Sequence, residues 1–237
     1  MIDESKLIFF TGAPGSKWSA VSNVLSMTKK ININTTDRNE DREYTHPTKF
    51  NKAQHLGSYF GTGMEFGEGW HEINKFSKQE ILNEIDKAWK EEKRTDYRIV
   101  KSHMISNNLD FIAETFPKSK IIIVFRPIES CYKGWFGAGG FGITYPKYHG
   151  YYKDEQTARE YIKEETKDAR QWIFNRNLTI HTATSKHWKD YWDITDSQNR
   201  FIKSIEGYFF EKKDPSRDVS LDTHIAYYNF DKIDERL

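Results

Sequence analysis

The stretch "LIFFTGAPGSKWSAV", Leu7 to Val21, decides the fold. Leu7 to Thr11 is a short apolar run of the kind found in strands buried on both faces, and a helix-like run begins near Trp18. Between them lies Gly12-Ala13-Pro14-Gly15-Ser16-Lys17. A loop between a buried strand and a helix gathers free backbone N–H groups and the positive end of the helix dipole, and so holds an anion. Gly12 and Gly15 permit the tight turn, and Ser16, Lys17 and Ser19 add donors. The nucleoside triphosphate pattern is G-x-x-x-x-G-K-[ST]. Counted from Gly12, its second glycine falls on Lys17 and its lysine on Trp18, so that only Ser19 matches. The loop lacks the two residues that grip terminal phosphates.

Working outward, "KIIIVFRP", Lys120 to Pro127, is a second doubly buried strand, and "YRIVKSH", Tyr97 to His103, is a weaker third. Ser77 to Lys93 has helical period, with Ile81, Leu82, Ile85, Ala88 and Trp89 on one stripe. A helix over Asn107 to Phe116 is stopped by Pro117 and leads into the Ile121 strand. Alternating strands and helices imply right-handed crossovers and a three-layer α/β/α fold around a central, mainly parallel sheet. Further on, "EQTAREYIKEETKDARQWIFNRN" is a long amphipathic helix, "DSQNRFIKSIEGYFFEK" a second one capped by Asp196, and "SLDTHIAYYNF" a terminal strand. With no repeat or low-complexity linker, residues 1–237 are expected to form one domain. Two polar, glycine- and aromatic-containing regions, 30–76 and 136–153, are expected as substrate or lid loops; the glycine-rich stretch leading into the second opens at Gly134.

Composition narrows the function. Lys plus Arg total 36 against 35 for Asp plus Glu, so no long-range field favours nucleic acid or an anionic membrane. Cys131 is the only cysteine, which excludes an internal disulfide framework and fits a small buried apolar residue. The N-terminal "MIDESKLIFF" lacks the basic region and apolar length of a signal peptide, and no segment reaches the roughly 20 apolar residues of a membrane span. A cytoplasmic location is expected. His46, His55 and His71 lie among Glu65, Glu68 and Glu72 without a zinc-ligand spacing, so no metal site is expected there.

Nucleotide kinases of this architecture end a neighbouring strand in a magnesium-supporting aspartate, whereas "IIIVF" ends in Arg126, which suits a second phosphate. With Pro14-Gly15-Ser16-Lys17-Trp18-Ser19, then Lys101-Ser102-His103, then "KIIIVFRPIES" with Arg126 and Ser130, the chain resembles the sulfotransferases that use 3'-phosphoadenosine 5'-phosphosulfate (PAPS). The resemblance covers roughly Leu7 to Trp135. It implies a P-loop nucleotide-binding-like fold and a PAPS cofactor, leaving as PAP. The residues from Pro14 to Ser19 would bind the 5'-phosphosulfate, and Arg126 with either Ser130 or Lys133 the 3'-phosphate. Two positions depart from the family. Gly15 stands where a lysine usually follows the loop proline, with Lys17 two residues later, and Gly134 stands where the 3'-phosphate serine is usual, beside Lys133.

The resemblance further implies metal-independent transfer of a sulfuryl group to a hydroxyl or amine of a small molecule, glycan or peptide. His103 would be the general base, with Lys101 and Lys17 stabilising charge. Trp18 would stack on the adenine or substrate, or pack in the core. Two other expectations stand beside this one: a divergent nucleoside triphosphate-dependent kinase, and a binding module that keeps the nucleotide cleft without turnover.

Overall fold

The computed structural model describes residues 3–25, 27–33, 58–59, 72–87, 96–137, 153–194 and 222–230. After a 3-10 turn at Glu4–Lys6, the elements are β1 (Leu7–Thr11), α1 (Trp18–Leu25), β2 (Ser58–Tyr59), α2 (Lys78–Lys87) and β3 (Arg98–Lys101). A 3-10 turn at His103–Asn107 follows, then α3 (Leu109–Thr115), β4 (Lys120–Phe125), α4 (Ile128–Gly137), α5 (Glu155–Asn175), β5 (Ile180–Thr182), α6 (Ser185–Trp192) and β6 (His224–Tyr228). The strands form one sheet in the order β2-β3-β1-β4-β6-β5. β2, β3, β1 and β4 run parallel, while β6 lies antiparallel to β4 and β5 antiparallel to β6. The chain is thus an α/β protein with a mixed sheet, parallel at its centre.

Strand alternation sorts the core into two layers. Leu7 and Phe9 of β1, Val100 of β3, and Ile121, Ile123 and Phe125 of β4 pack with α2, α3 and α5. Ile8 and Phe10, Ile99, Ile122 and Val124 pack on the other face with α1, α6, Ile225 and Tyr227. Every residue of β1 and β4 is buried, as their unbroken apolar runs require. Each fully buried Phe or Ile contributes about 1.5–3 kcal/mol relative to exposure.

Register fixes where the functional edge lies. Phe10 is level with Lys101 and Thr11 with Ile123, so β1, β3 and β4 end on the same side of the sheet. Because β6 is antiparallel, with His224 level with Phe125, its beginning reaches the edge that the other strands leave.

Several expected boundaries shift. The helix expected over Ser77 to Lys93 is described from Lys78 to Lys87, with 88–93 outside the described residues, and the one expected over Asn107 to Phe116 is α3, Leu109–Thr115, preceded by the 3-10 turn. The glycine-rich stretch opening at Gly134 starts not as a loop but as the last residues of α4, so the expected lid at 136–153 begins inside a helix. Within 30–76, Ser58–Tyr59 adds a strand beside β3 and Ile33 bridges Tyr97. The remainder of both expected lids is largely outside the described residues, as are His46, His55, His71 and the helix at 196–212. Among the described residues no helix is long and apolar enough to cross a membrane.

β5 and α6 were not anticipated. α6 opens where Thr184 Oγ1 accepts from the His187 N–H at 3.2 Å, and closes at Asp193 in the left-handed region. Its Trp188 and Trp192, one turn apart, enter the core, and Trp192 Nε1 donates to Tyr227 Oη at 2.8 Å. His187 Nε2 shares a 2.7 Å hydrogen bond with the same hydroxyl, while burial, then the neighbouring His181, pushes its pKa from 6.5 down to about 4. A lowered folded value means that the unfolded chain binds this proton more tightly, so stability is whole above pH 6.5 and drains away as pH falls toward 4. Urea midpoints followed by circular dichroism should therefore fall between pH 7 and pH 4, and less steeply in His187→Gln.

Candidate functional site

The loop after β1 turns where Ser16 N–H donates to the Ala13 carbonyl at 2.9 Å, and Lys17 starts α1 by accepting from Val21 N–H at 3.0 Å. Gly15 has φ 79° and Lys17 φ 69°. For lysine, the left-handed region costs about 1–2 kcal/mol, a strain that surrounding contacts must hold. Gly15 answers one departure from the family pattern. A Cβ there would fall 1.8 Å from the carbonyl oxygen of Cys131 in α4, so no lysine fits at that position. Gly134 answers the other, because a side chain there would crowd both the Gly15 carbonyl, at 3.0 Å, and Arg126 Nη1, at 3.2 Å.

Pro14, Ser16 and Lys17 are buried. Ser16 Oγ has no hydrogen-bond partner among the described residues, which fits a donor that an anion would satisfy. Of the two roles left open for Trp18, and against its choice as a cofactor contact, the structure describes packing: it is 7% exposed, lies with the α1 face of the core and is 6.5 Å from the Phe10 ring. The side chain of Ser19 is outside the described residues. Cys131 is buried, and burial pushes its thiol up to about 11, as an inert packing residue requires.

Arg126 is more heavily engaged than a strand-end phosphate ligand was expected to be. Its Nε and Nη2 donate to the two carboxylate oxygens of Asp222 at 3.0 and 2.7 Å. Nη1 donates to the carbonyls of Gly15 at 3.0 Å and Ser130 at 3.3 Å. The guanidinium thereby ties β4, the loop, α4 and the approach to β6 together. Burial raises the Asp222 carboxyl, but hydrogen bonds from Arg126 and the Ser130 hydroxyl, with the charges of Arg126 and Lys17, hold it below the usual carboxylate range. Arg126, Ser130 and Lys17, all chosen from the sequence as anion ligands, converge on this one anion.

His103 opens the 3-10 turn after β3, where Ser102 Oγ accepts from Met104 N–H at 3.2 Å. Ser102 N–H donates to the Phe10 carbonyl at 3.2 Å. Thr11, the last residue of β1, donates from Oγ1 to the His103 carbonyl at 3.3 Å and shares a 2.9 Å bond with Ser106 Oγ. The histidine turn is therefore pinned to the strand that carries the loop. Lys101 is fully buried at the end of β3 and, by alternation, shares the α1 face with Ile99.

His103 Nδ1 lies 2.9 Å from Glu165 Oε1, and both side chains are buried. Burial pushes the Glu165 carboxyl up, opposed by His103, while Asp168 and Glu164 add to the rise. Glu165 Oε2 has no partner among the described residues. Neither Glu165 nor Asp222 was singled out in the sequence. Glu165 had a signal: Ala158, Ile162, Thr166, Ala169, Trp172 and Ile173 form the buried stripe of α5, and Glu165 is the acid placed within it.

No protein-family model, curated protein or solved structure matches the chain. The site therefore rests on its own geometry: a strand–loop–helix with a buried unsatisfied hydroxyl, a cation cluster closed on Asp222, and a buried histidine–glutamate pair. Among the described residues no group of three His, Cys, Asp or Glu is placed to hold a metal ion.

Gly15→Ala should cost about 2–4 kcal/mol, because the clash is with backbone rather than a movable side chain and φ is unfavourable for alanine. Urea denaturation of the two proteins measures it.

Proposed function

We propose that the chain is a PAPS-dependent sulfotransferase built on a P-loop-like nucleotide fold, acting on a hydroxyl or amine of a small molecule, glycan or peptide. The observation that carries this reading is the His103–Glu165 pair, hydrogen-bonded through Thr11 to the start of an anion-type loop. The unsatisfied Ser16 hydroxyl supports a fit between that loop and the 5'-phosphosulfate. When bound, PAPS supplies the sulfuryl group, whose modest charge suits hydrogen-bond donors and lysines.

The roles of the chain's residues follow from their environments. Glu165 accepts from the Nδ1 side of His103, which fixes the ring and selects the tautomer whose lone pair is at Nε2. His103 Nε2 takes the proton of the acceptor hydroxyl. The Glu165 carboxylate then balances the imidazolium in a site where water is excluded and the pair interacts strongly. Lys17, Ser16 and the loop N–H groups hold the 5'-phosphate as it departs, and Lys101 adds positive charge at the neighbouring strand end. Glu165 is a positioning residue, since it acts through His103.

Asp222, a carboxylate beside Lys17, favours a second reading, a nucleoside triphosphate-dependent kinase in which it would support magnesium. Calorimetry with PAP and with ATP-magnesium separates the two. Under the sulfotransferase reading PAP binds the more tightly. His103→Ala then abolishes transfer of radiolabelled sulfuryl groups across an acceptor panel while retaining PAP binding. Glu165→Gln lowers kcat by about 10–100-fold with little change in KM and shifts the pH–rate profile, which a purely structural pair would leave in place.

A further inference from the structure

The five N–H groups of an arginine are its whole capacity, and four of those on Arg126 are already used. Two are spent on backbone carbonyls that shape the loop and α4, and two on Asp222. An incoming phosphate therefore reaches the fork of Arg126 only by replacing the Asp222 carboxylate. The exposures favour that exchange, because the Arg126 side chain is 10% exposed and that of Asp222 is 36% exposed. The cation is fixed inside, and its anion sits at the rim.

We propose that Asp222 is an internal competitor for the second phosphate of the nucleotide, and so a specificity-determining residue of the site; this rests on the sulfotransferase reading above. Without a ligand, Asp222 neutralises a nearly buried guanidinium that would be costly to leave unpaired. A phosphate presents the same two-oxygen face with more charge and takes over the fork. A ribose hydroxyl presents no charge, so a nucleotide lacking the second phosphate leaves Asp222 in place. Asp222 thus reduces the affinity of a bisphosphate by the cost of its own displacement and leaves that of a monophosphate almost untouched.

The test compares PAP with 5'-AMP by calorimetry on the full chain and on Asp222→Asn, which keeps size and removes charge. PAP should bind the variant at least about tenfold more tightly, with 5'-AMP changed by less than about threefold. Equal or weaker PAP binding by the variant would overturn the proposal. Should the variant fail to fold, the wild-type protein with 13C-labelled aspartate carboxyls gives the same answer. Saturating PAP should shift the Asp222 carboxyl resonance and saturating 5'-AMP should not; an unmoved resonance with PAP bound sinks the idea. If neither protein binds PAP at millimolar concentration, both this proposal and the sulfotransferase reading fall. If wild type binds PAP but the resonance stays still, only the role of Asp222 is lost.

Discussion

The candidate site depends on the close approach of the bare Cα of Gly15 to the Cys131 carbonyl. Because nothing projects from Gly15, α4 lies directly on the loop, and Gly134 is bare for the same contact seen from the helix side. Arg126, leaving β4, is then near enough to donate to the Gly15 carbonyl and lock the arrangement. Two residues on from Gly15, the backbone of Lys17 enters the left-handed region to start α1. What looked in the sequence like two departures from a known pattern is one packing solution shared by two glycines.

Charge inside the molecule is balanced over long stretches of chain. Arg126 pairs with Asp222, His103 with Glu165, and Arg98, nearly fully buried, with Asp86 at 3.0 Å. In the two arginine pairs the buried member is the cation and the carboxylate is about a third exposed, so removing the carboxylate leaves a buried guanidinium short of its counter-charge. The Arg126 and His103 pairs meet at the edge where the parallel strands end. Only the antiparallel setting of β6 brings Asp222 to that edge, since a parallel strand would have placed the residues before it at the opposite end of the sheet.

The parts of the fold legible in the sequence were those written as continuous physical pattern. "LIFFT" and "KIIIVF" are buried on both faces and read as central strands; α5 carries a long periodic stripe. β5 escaped because it has three residues and an exposed Ile180. α6 escaped because its apolar face is two tryptophans among charged neighbours. The last turn of α4 was mistaken for loop because Gly134 and Gly137 read as breakers, whereas Gly134 answers a tertiary contact that no local pattern records. His103, Arg126 and the loop, proposed from the residues that edge chemistry favours, all stand at the edge where the parallel strands end. Asp222 was missed because strand direction is not written in the residues of "DTHIAYY", and the setting of Trp18 stayed open because the first residue of a helix faces either core or cleft.

The placement of Glu165 gives α5 a second duty. Successive residues of an α-helix are rotated by about 100°, so a slip of one position would turn Glu165 away and bring Glu164 or Thr166 round toward His103. Phase along 21 residues therefore decides which side chain meets the imidazole. The helix is indexed at both ends: Asp154 caps its first turn through Thr157 N–H at 2.8 Å, and Trp172 Nε1, near its end, donates to Asp110 at 3.0 Å. An insertion or deletion of one residue between those two anchors would leave the core stripe to compete with the ionisable pair for the same rotation, and the His103–Glu165 contact would be lost by misalignment without either residue having changed.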